Sequence, residues 1–163
     1  MANLDIKIRE AELADLELIL AFISEKSEFD GVPHLLEATA DKLKQTLLFV
    51  ESPLVRVLLA EVGDTAVGFA MFYASYSSLL AQPCLWLDDL FLQSHFRGMG
   101  VGTALLKSLA RIAESTNCGR MEWTVNTGNV PGIAFYQKQG ARILENIRLC
   151  RIDGDAINLL AGQ

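Results

Sequence analysis

The residues with the most chemical content stand in one run, Arg97-Gly98-Met99-Gly100-Val101-Gly102-Thr103, between an apolar segment and an amphipathic one. Glycines let a backbone take positive φ and approach a ligand closely. The N–H groups that open a following helix have no carbonyl partners of their own, and the helix dipole favours negative charge there. Such a run can hold a phosphate without any lysine. Spacing narrows the kind of phosphate. A nucleotide-hydrolase loop ends in Gly-Lys-Ser/Thr, whereas Gly102 is followed directly by Thr103. A dinucleotide fingerprint needs Gly-x-Gly-x-x-Gly, and counted from Gly98 the last position is Thr103. What remains is Arg-x-x-Gly-x-Gly, from Arg97 to Gly102. A tight strand-to-helix turn with no ligand is the alternative reading.

Two carboxylates precede the run. Asp88 and Asp89 sit in an apolar frame, Leu85-Trp86-Leu87 and Leu90-Phe91-Leu92. Neighbouring strand residues point to opposite faces, so only one of the two faces a given cleft. A carboxylate on a central strand is costly unless it is paired, hydrated or used. It is either a satisfied structural acid or a proton acceptor. Further on, Asn129, Pro131, Phe135 and Tyr136 open and line a short helix. Tyr136 is either an interfacial core tyrosine or a hydroxyl aimed at a reacting group. His95 reads as an exposed loop histidine, with a base role as the alternative. Cys84, Cys118 and Cys150 are odd in number and far apart, and only His34 and His95 stand ready to help them ligate a metal. No zinc site or disulfide framework is expected, which fits a reducing, cytoplasmic setting. Cys118 and Cys150 read as ordinary small hydrophobes despite Arg120 and Arg151 nearby.

The elements that position these residues follow from periodicity. Ile6 and Ile8 alternate with Lys7 and Arg9, a short strand with no signal-peptide core. Leu16, Ile19, Leu20 and Ile23 predict a helix from about Glu12 to Lys26, and residues 27–38 read as irregular. Thr39 caps a second helix with Leu43 and Leu47 on one face, broken by Ser52-Pro53. Residues 55–61 and 65–74 read as strands around a Gly63-Asp64 hairpin turn. Residues 84–92 form a third central strand, 93–98 a polar loop, and 101–116 a long helix. Residues 121–125 are another strand. Asn129 caps a helix with Pro131 in its first turn, which Gly140 terminates in a left-handed conformation. Residues 142–152 read as one or two strands, and Asp153 or Asp155 caps a final helix through Leu160. The fold class is therefore α/β with α+β character: a mixed sheet with helices on both faces.

The chain has 163 residues, read as a single domain over residues 1–163, and can bury a core without staples. With 51% hydrophobic and 21% charged residues it is not disordered. Fourteen basic and 20 acidic residues give a net charge of −6, which excludes a broad basic footprint for nucleic acid. Residues 65–87 carry no charge over 23 positions, long enough to span a bilayer. Asp64 and Asp88 flank that stretch, and Ser75, Ser77, Ser78, Gln82 and Pro83 interrupt it, so two buried strands around a loop are expected and no membrane partner.

Together these residues resemble the GNAT superfamily of N-acetyltransferases. Its acetyl-coenzyme A motif, Gln/Arg-x-x-Gly-x-Gly/Ala, is matched by Arg97, Gly100 and Gly102. Its later Asn…Phe-Tyr…Gly-Ala/Phe segment is matched by Asn129, Phe135, Tyr136, Gly140 and Ala141. The runs at 67–73 and 87–92 resemble the diamine (spermidine/spermine) branch and its sisters acting on thialysine. The resemblance covers residues 6 to about 160. It implies a mostly antiparallel, splayed sheet and a homodimer. It also implies that Arg97 and the turn from Gly98 through Met99, Gly100, Val101 and Gly102 to Thr103 hold the pyrophosphate of acetyl-coenzyme A. Leu90, Phe91 and Leu92 would pair their backbone with the pantetheine arm, and Asn129 would bond the cofactor near its pantetheine end. Asp88, where the branch has glutamate, would take a proton from the amine through a water, with Asp88 or Asp89 facing the substrate. Tyr136 would protonate the departing thiolate. Phe29 and Asp30 fall where the branch binds its cationic amine, whereas Glu25 and Glu28 read equally well as a solvated acidic helix end. The branch's Arg-Pro is Arg9-Glu10 here. The expectation is transfer of an acetyl group to a small primary amine. A peptide N-terminus as acceptor and a coenzyme A-binding sensor without turnover are the alternatives.

Overall fold

The computed structural model describes residues 4–47 and 53–162. The expected helix break at Ser52-Pro53 lies partly outside them, at Ser52. The chain divides into two compact units, Met1–Thr124 and Val125–Gln163.

The first unit is a five-stranded sheet whose spatial order equals its chain order. Its strands are β1 (Ile6–Glu10), β2 (Arg56–Val62), β3 (Thr65–Ser77), β4 (Gln82–Leu92) and β5 (Met121–Glu122). All pairings are antiparallel except β4 with β5. Three helices complete it: α1 (Leu16–Phe29), α2 (Ala40–Thr46) and α3 (Val101–Ser115). The expected mixed, mostly antiparallel sheet is present. Among the described residues no helix is long and apolar enough to cross a membrane, and the uncharged stretch at 65–87 lies within β3, β4 and the turn between them.

Strand alternation assigns each helix its face. Val57 and Leu59 of β2, Phe69 and Met71 of β3 and Phe91 of β4 pack with Leu16, Ile19 and Phe22 of α1 and with Leu43 and Leu47. The Phe22 ring stacks on Phe69 at 6.0 Å and meets Phe91 at 6.3 Å. Ile19 is fully buried and Phe22 nearly so; such side chains contribute about 1.5–3 kcal/mol each. The opposite face takes α3. Ile8 pairs across from Ala60, and Ile6 and Ile8 line a shallow groove with Ala104, Lys107, Ser108 and Arg111 of α3.

On the α1 face, Arg9 joins the edge strand to the chain before α1. Its Nε donates to Glu61 at 2.6 Å, and its two terminal nitrogens donate to the Asp15 carboxylate at 2.6 and 2.9 Å. The guanidinium holds Asp15 below its ordinary 3.8 and Glu61 below its ordinary 4.5. Both groups have depressed folded pKa values. Their stabilising contribution is therefore present above the ordinary values and lost as pH falls through the folded ones. Acid unfolding below about pH 4 should accordingly be less steep in Arg9→Met, which leaves Asp15 without its cation and Glu61 with Lys7 alone, 3.6 Å away. Chemical denaturation of both proteins between pH 3 and 7 measures this, and parallel pH curves would show that the network contributes nothing.

The helix ends explain where local patterns misplaced boundaries. α1 continues to Phe29, past the expected stop at Lys26. The stop signal is Gly31: at φ 74° it takes the left-handed conformation. Val32 N–H bonds Ser27 C=O at 2.9 Å and Gly31 N–H bonds Glu28 C=O at 3.0 Å, the paired bonds of a Schellman motif. Phe29 and Asp30 thus belong to a helix end rather than to an irregular stretch. Thr39 caps α2 as expected, accepting from Lys42 N–H at 3.2 Å.

β5 stops at Glu122, short of the expected Val125, because its partner changes register. β4 carries a bulge: Asp89 pairs with Met71 and Leu87 with Phe72, leaving Asp88 as the extra residue. Parallel pairing with β5 is confined to Leu85 and Trp86, below the bulge. A bulge bends its strand and re-aims a side chain, so the partner strand cannot follow.

The second unit holds α4 (Val130–Lys138) and α5 (Asp155–Leu160). Asn129 caps α4 as expected, its Oδ1 accepting from Gly132 N–H at 3.0 Å. Gly140, at φ 94°, ends it. The strands expected over 142–152 are absent from the described residues. Leu144, Ile147, Leu149 and Ile152 are exposed there, and an apolar segment becomes a strand only against a partner. α5 is capped by Gly154 rather than by Asp153 or Asp155.

Candidate active site

The glycine-rich run turns from β4 into α3. Gly100 is the helix N-cap at φ 91°, a left-handed conformation that a side chain would strain. The first intrahelical bond is Ala104 N–H to Gly100 C=O, at 3.0 Å. The N–H groups of Val101, Gly102 and Thr103 therefore open the helix without intrahelical partners. No side chain caps them, and no acid stands in the first turn. A helix start without its own anion is shaped for an external one. These backbone groups suit a phosphate oxyanion.

Arg97 does not point simply into this cradle. Its Nε donates to Leu92 C=O at 2.9 Å. Its guanidinium lies 4.3 Å over the Phe29 ring and 5.7 Å from that of Phe91. Phe29, expected beside a substrate, thus packs on the arginine of the cofactor turn. The contact ties the end of α1 to the start of the turn, with about 0.5–1 kcal/mol from the cation–π attraction.

β4 supplies the second part of the site. Above Trp86 no strand pairs with its β5-side edge among the described residues. Leu90, Phe91 and Leu92 lie on that stretch and pair with Ala70, Phe69 and Gly68 of β3 on the other side. An unpaired strand edge is a place where an amide-bearing arm adds as a half-strand.

The bulge separates the two aspartates. Asp88 is exposed and makes no ion pair among the described residues. Asp89 shares the α1 face with Met71 and meets Lys26 Nζ at 2.9 Å. The same ammonium lies 2.5 Å from Asp30, four residues along α1. Burial pushes Asp89 up; Lys26 opposes this, while Asp88 and Asp30 add to it. Burial also depresses Lys26, but Asp30 and Asp89 outweigh it and the ammonium ends above its ordinary value. The triad is lopsided because one cation serves two carboxylates. Asp88 is thus the carboxylate open to solvent, and Asp89 and Asp30 are already engaged.

Sequence reasoning missed Lys26 and the aromatic pair beside the bulge. Tyr73 of β3 lies opposite Trp86 of β4, their rings stacked at 6.4 Å. Burial, and then the charge of Asp88, push the Tyr73 hydroxyl up. Only the register set by the bulge brings Tyr73 near Asp88, and no local pattern announces it. Gln93, just after β4, donates to Glu25 at 3.3 Å, which gives a partner to one of the two acids read either as substrate-binding or as a solvated helix end. His95 is exposed in a short turn, where its ring meets Ser94 Oγ at 3.5 Å.

In the second unit, Asn129 Oδ1 accepts the cap bond from Gly132 N–H, and Nδ2 is the side chain's donor. Tyr136 lies on α4 with its ring 5.2 Å from that of Phe135.

Comparison with known proteins shows the family. The profile of the acetyltransferase (GNAT) family matches residues 19–141. L-ornithine N5-acetyltransferase of Arabidopsis thaliana is 38% identical over 61% of this chain, but the chain spans only 44% of that protein. Thialysine N-epsilon-acetyltransferase of Caenorhabditis elegans is 32% identical over 90% of this chain and 91% of its own length. An integron cassette protein from the mobile metagenome of V. cholerae has a solved structure that superposes with a TM-score of 0.79. It is 28% identical and covers 97% of this chain and 98% of its own.

Proposed function

The chain belongs to the GNAT family of acetyltransferases, and from that premise we propose that it moves an acetyl group from acetyl-coenzyme A to a small primary amine. Polyamines and thialysine-like amino acids are the leading acceptors. The observation that carries the reading is the pairing of an uncapped helix start after Gly100 with an open β4 edge that ends at a solvent-facing Asp88. Relatives described as acting on thialysine and ornithine support the acceptor class.

Acetyl-coenzyme A supplies an activated acetyl thioester. The N–H groups of Val101, Gly102 and Thr103 bind its pyrophosphate, and the backbone of Leu90, Phe91 and Leu92 aligns its arm. Arg97, held by Leu92 C=O and Phe29, keeps the turn in shape and adds positive charge. An ammonium is not a nucleophile and must first lose a proton. Asp88 takes that proton through a water, since its arm is short and its carboxylate faces solvent. The amine nitrogen then forms the new C–N bond as the C–S bond breaks; the departing sulfur takes the Tyr136 proton, and the second proton lost by the nitrogen returns to the tyrosine through water, while the first leaves from Asp88 to solvent. Direct attack needs no nucleophile on the enzyme.

Thiol release from acetyl-coenzyme A tests this against putrescine, spermidine, thialysine, ornithine, lysine and N-terminal peptides. Turnover with a small amine is expected. In Tyr136→Phe we expect kcat to fall by about tenfold to a hundredfold while KM for the amine holds, because the hydroxyl acts only as the thiolate leaves. Turnover confined to peptides would overturn the acceptor class. Coenzyme A binding without turnover of any amine would overturn acetyl transfer in favour of a sensor.

A further inference from the structure

The charge arrangement at the end of α1 bears on which amine the site accepts. Three carboxylates, Asp30, Asp88 and Asp89, stand on α1 and β4, and two of them share one ammonium of the chain itself. Lys26 Nζ is 2.5 Å from Asp30 Oδ2 and 2.9 Å from Asp89 Oδ1. Those are the distances at which charge-assisted hydrogen bonds form, and the distances a bound substrate ammonium would adopt. Resting on the acetyltransfer reading above, we propose that Lys26 occupies from within the chain the place that the second ammonium of a diamine or polyamine would take. The favoured acceptor then carries its net positive charge at the reactive end and a distal end that is neutral or zwitterionic, which within the acceptor class above favours thialysine-like amino acids over polyamines.

Geometry and cost both support this assignment. The Lys26–Asp30 pair is built into one helix at spacing i, i+4, so Asp30 is engaged by local structure before any substrate arrives. Asp89 is engaged across the interface, on the α1 face of the bulged strand. The side chains of Lys26, Asp30 and Asp89 are 25%, 32% and 19% exposed. At such depth a displaced lysine does not simply exchange into bulk water at no cost. A second substrate ammonium must either eject Lys26 from two hydrogen bonds or sit beside it against like-charge repulsion. Asp88, outside the triad and exposed, remains for a single ammonium. The strap also fastens α1 to β4, and a purely structural role would alter all amines alike. A change confined to dications identifies the specificity role.

The experiment compares n-butylamine with putrescine, which have the same carbon chain and one against two ammonium groups, in the full-length wild type, Lys26→Gln and Lys26→Arg. Thiol release gives kcat/KM for each amine, and calorimetry gives the dissociation constant of putrescine with no need for turnover. The wild type should use n-butylamine at least as well as putrescine. Lys26→Gln should raise the putrescine-to-butylamine ratio by about tenfold or more, through a lower putrescine KM, and bind putrescine correspondingly tighter. Lys26→Arg should keep the wild-type ratio. A wild type that prefers putrescine by tenfold, or one ratio shared by all three proteins, would overturn the proposal, and the wild-type comparison alone decides should Lys26→Gln not fold. Absence of thiol release with every amine would overturn acetyl transfer instead. Putrescine binding in the calorimeter would still decide whether Lys26 fills the second site.

Discussion

Asp88→Asn is expected to lower kcat/KM for the preferred amine by about a hundredfold or more, in the range that general-base catalysis supplies. Asparagine matches aspartate in size but takes no proton at neutral pH. Asp88 is exposed and free of ion pairs among the described residues, so the substitution breaks no ion pair there and the melting temperature should stay at the wild-type value. That pairing of outcomes separates chemistry from folding. Raising the pH should recover part of the loss, since a larger fraction of the amine is then already deprotonated. A variant that retains activity within a few-fold of wild type would remove Asp88 from the reaction and direct attention to Asp89. For Asp89→Asn the expected pattern is the reverse in character, with stability lost along with rate, because Lys26 forfeits one of its two carboxylates.

The second large effect is on folding. Gly68 of β3 lies across from Leu92 of β4. A Cβ built on it would collide with the Phe91 carbonyl oxygen and come within 3.0 Å of the Leu92 Cα. These are backbone atoms that cannot swing aside. Gly68→Val should destabilise the protein by about 3 kcal/mol or more, through overpacking that only a strand shift relieves. For a chain of this length that corresponds to a fall in Tm of about 6–12 °C. The strain lands on the stretch assigned to the pantetheine arm, so KM for acetyl-coenzyme A should rise as well. Scanning calorimetry with and without coenzyme A checks both effects, and a variant that melts with the wild type would contradict the close approach.

The parts legible in the sequence were those governed by local rules. The run from Arg97 to Thr103 carried its own turn and helix start. The Gly63-Asp64 hairpin, the Thr39 cap and the α4 boundaries at Asn129 and Gly140 each followed from one or two residue types. Errors came where a partner decides. Helix α1 ran on to Phe29 because Gly31 closes it with two backbone bonds, a signal outside the apolar period. Residues 142–152 have the alternation of a strand but pair with no strand among the described residues. The division of labour between Asp88 and Asp89 was beyond any pattern of types. It depends on a bulge that inserts one residue opposite Met71 and Phe72. Lys26 was read only as the end of a helix, since its two partners are four residues and 63 residues away. Its engagement with Asp89 is visible only once β4 is seated under α1.

Strand order equal to chain order has a kinetic consequence. Closing β2 on β3 costs only a two-residue turn, and β3 on β4 a short one, so this meander assembles with little loop entropy to overcome. Joining β1 to β2 must close over about 45 residues carrying both early helices, and joining β4 to β5 must wait for α3 to cross. Loop-closure cost grows with length, and non-local parallel pairing is slow. The meander that bears the bulge and both aspartates is therefore expected to form first. The glycine-rich turn, at the junction of β4 and α3, then acquires its shape only as the later crossover docks.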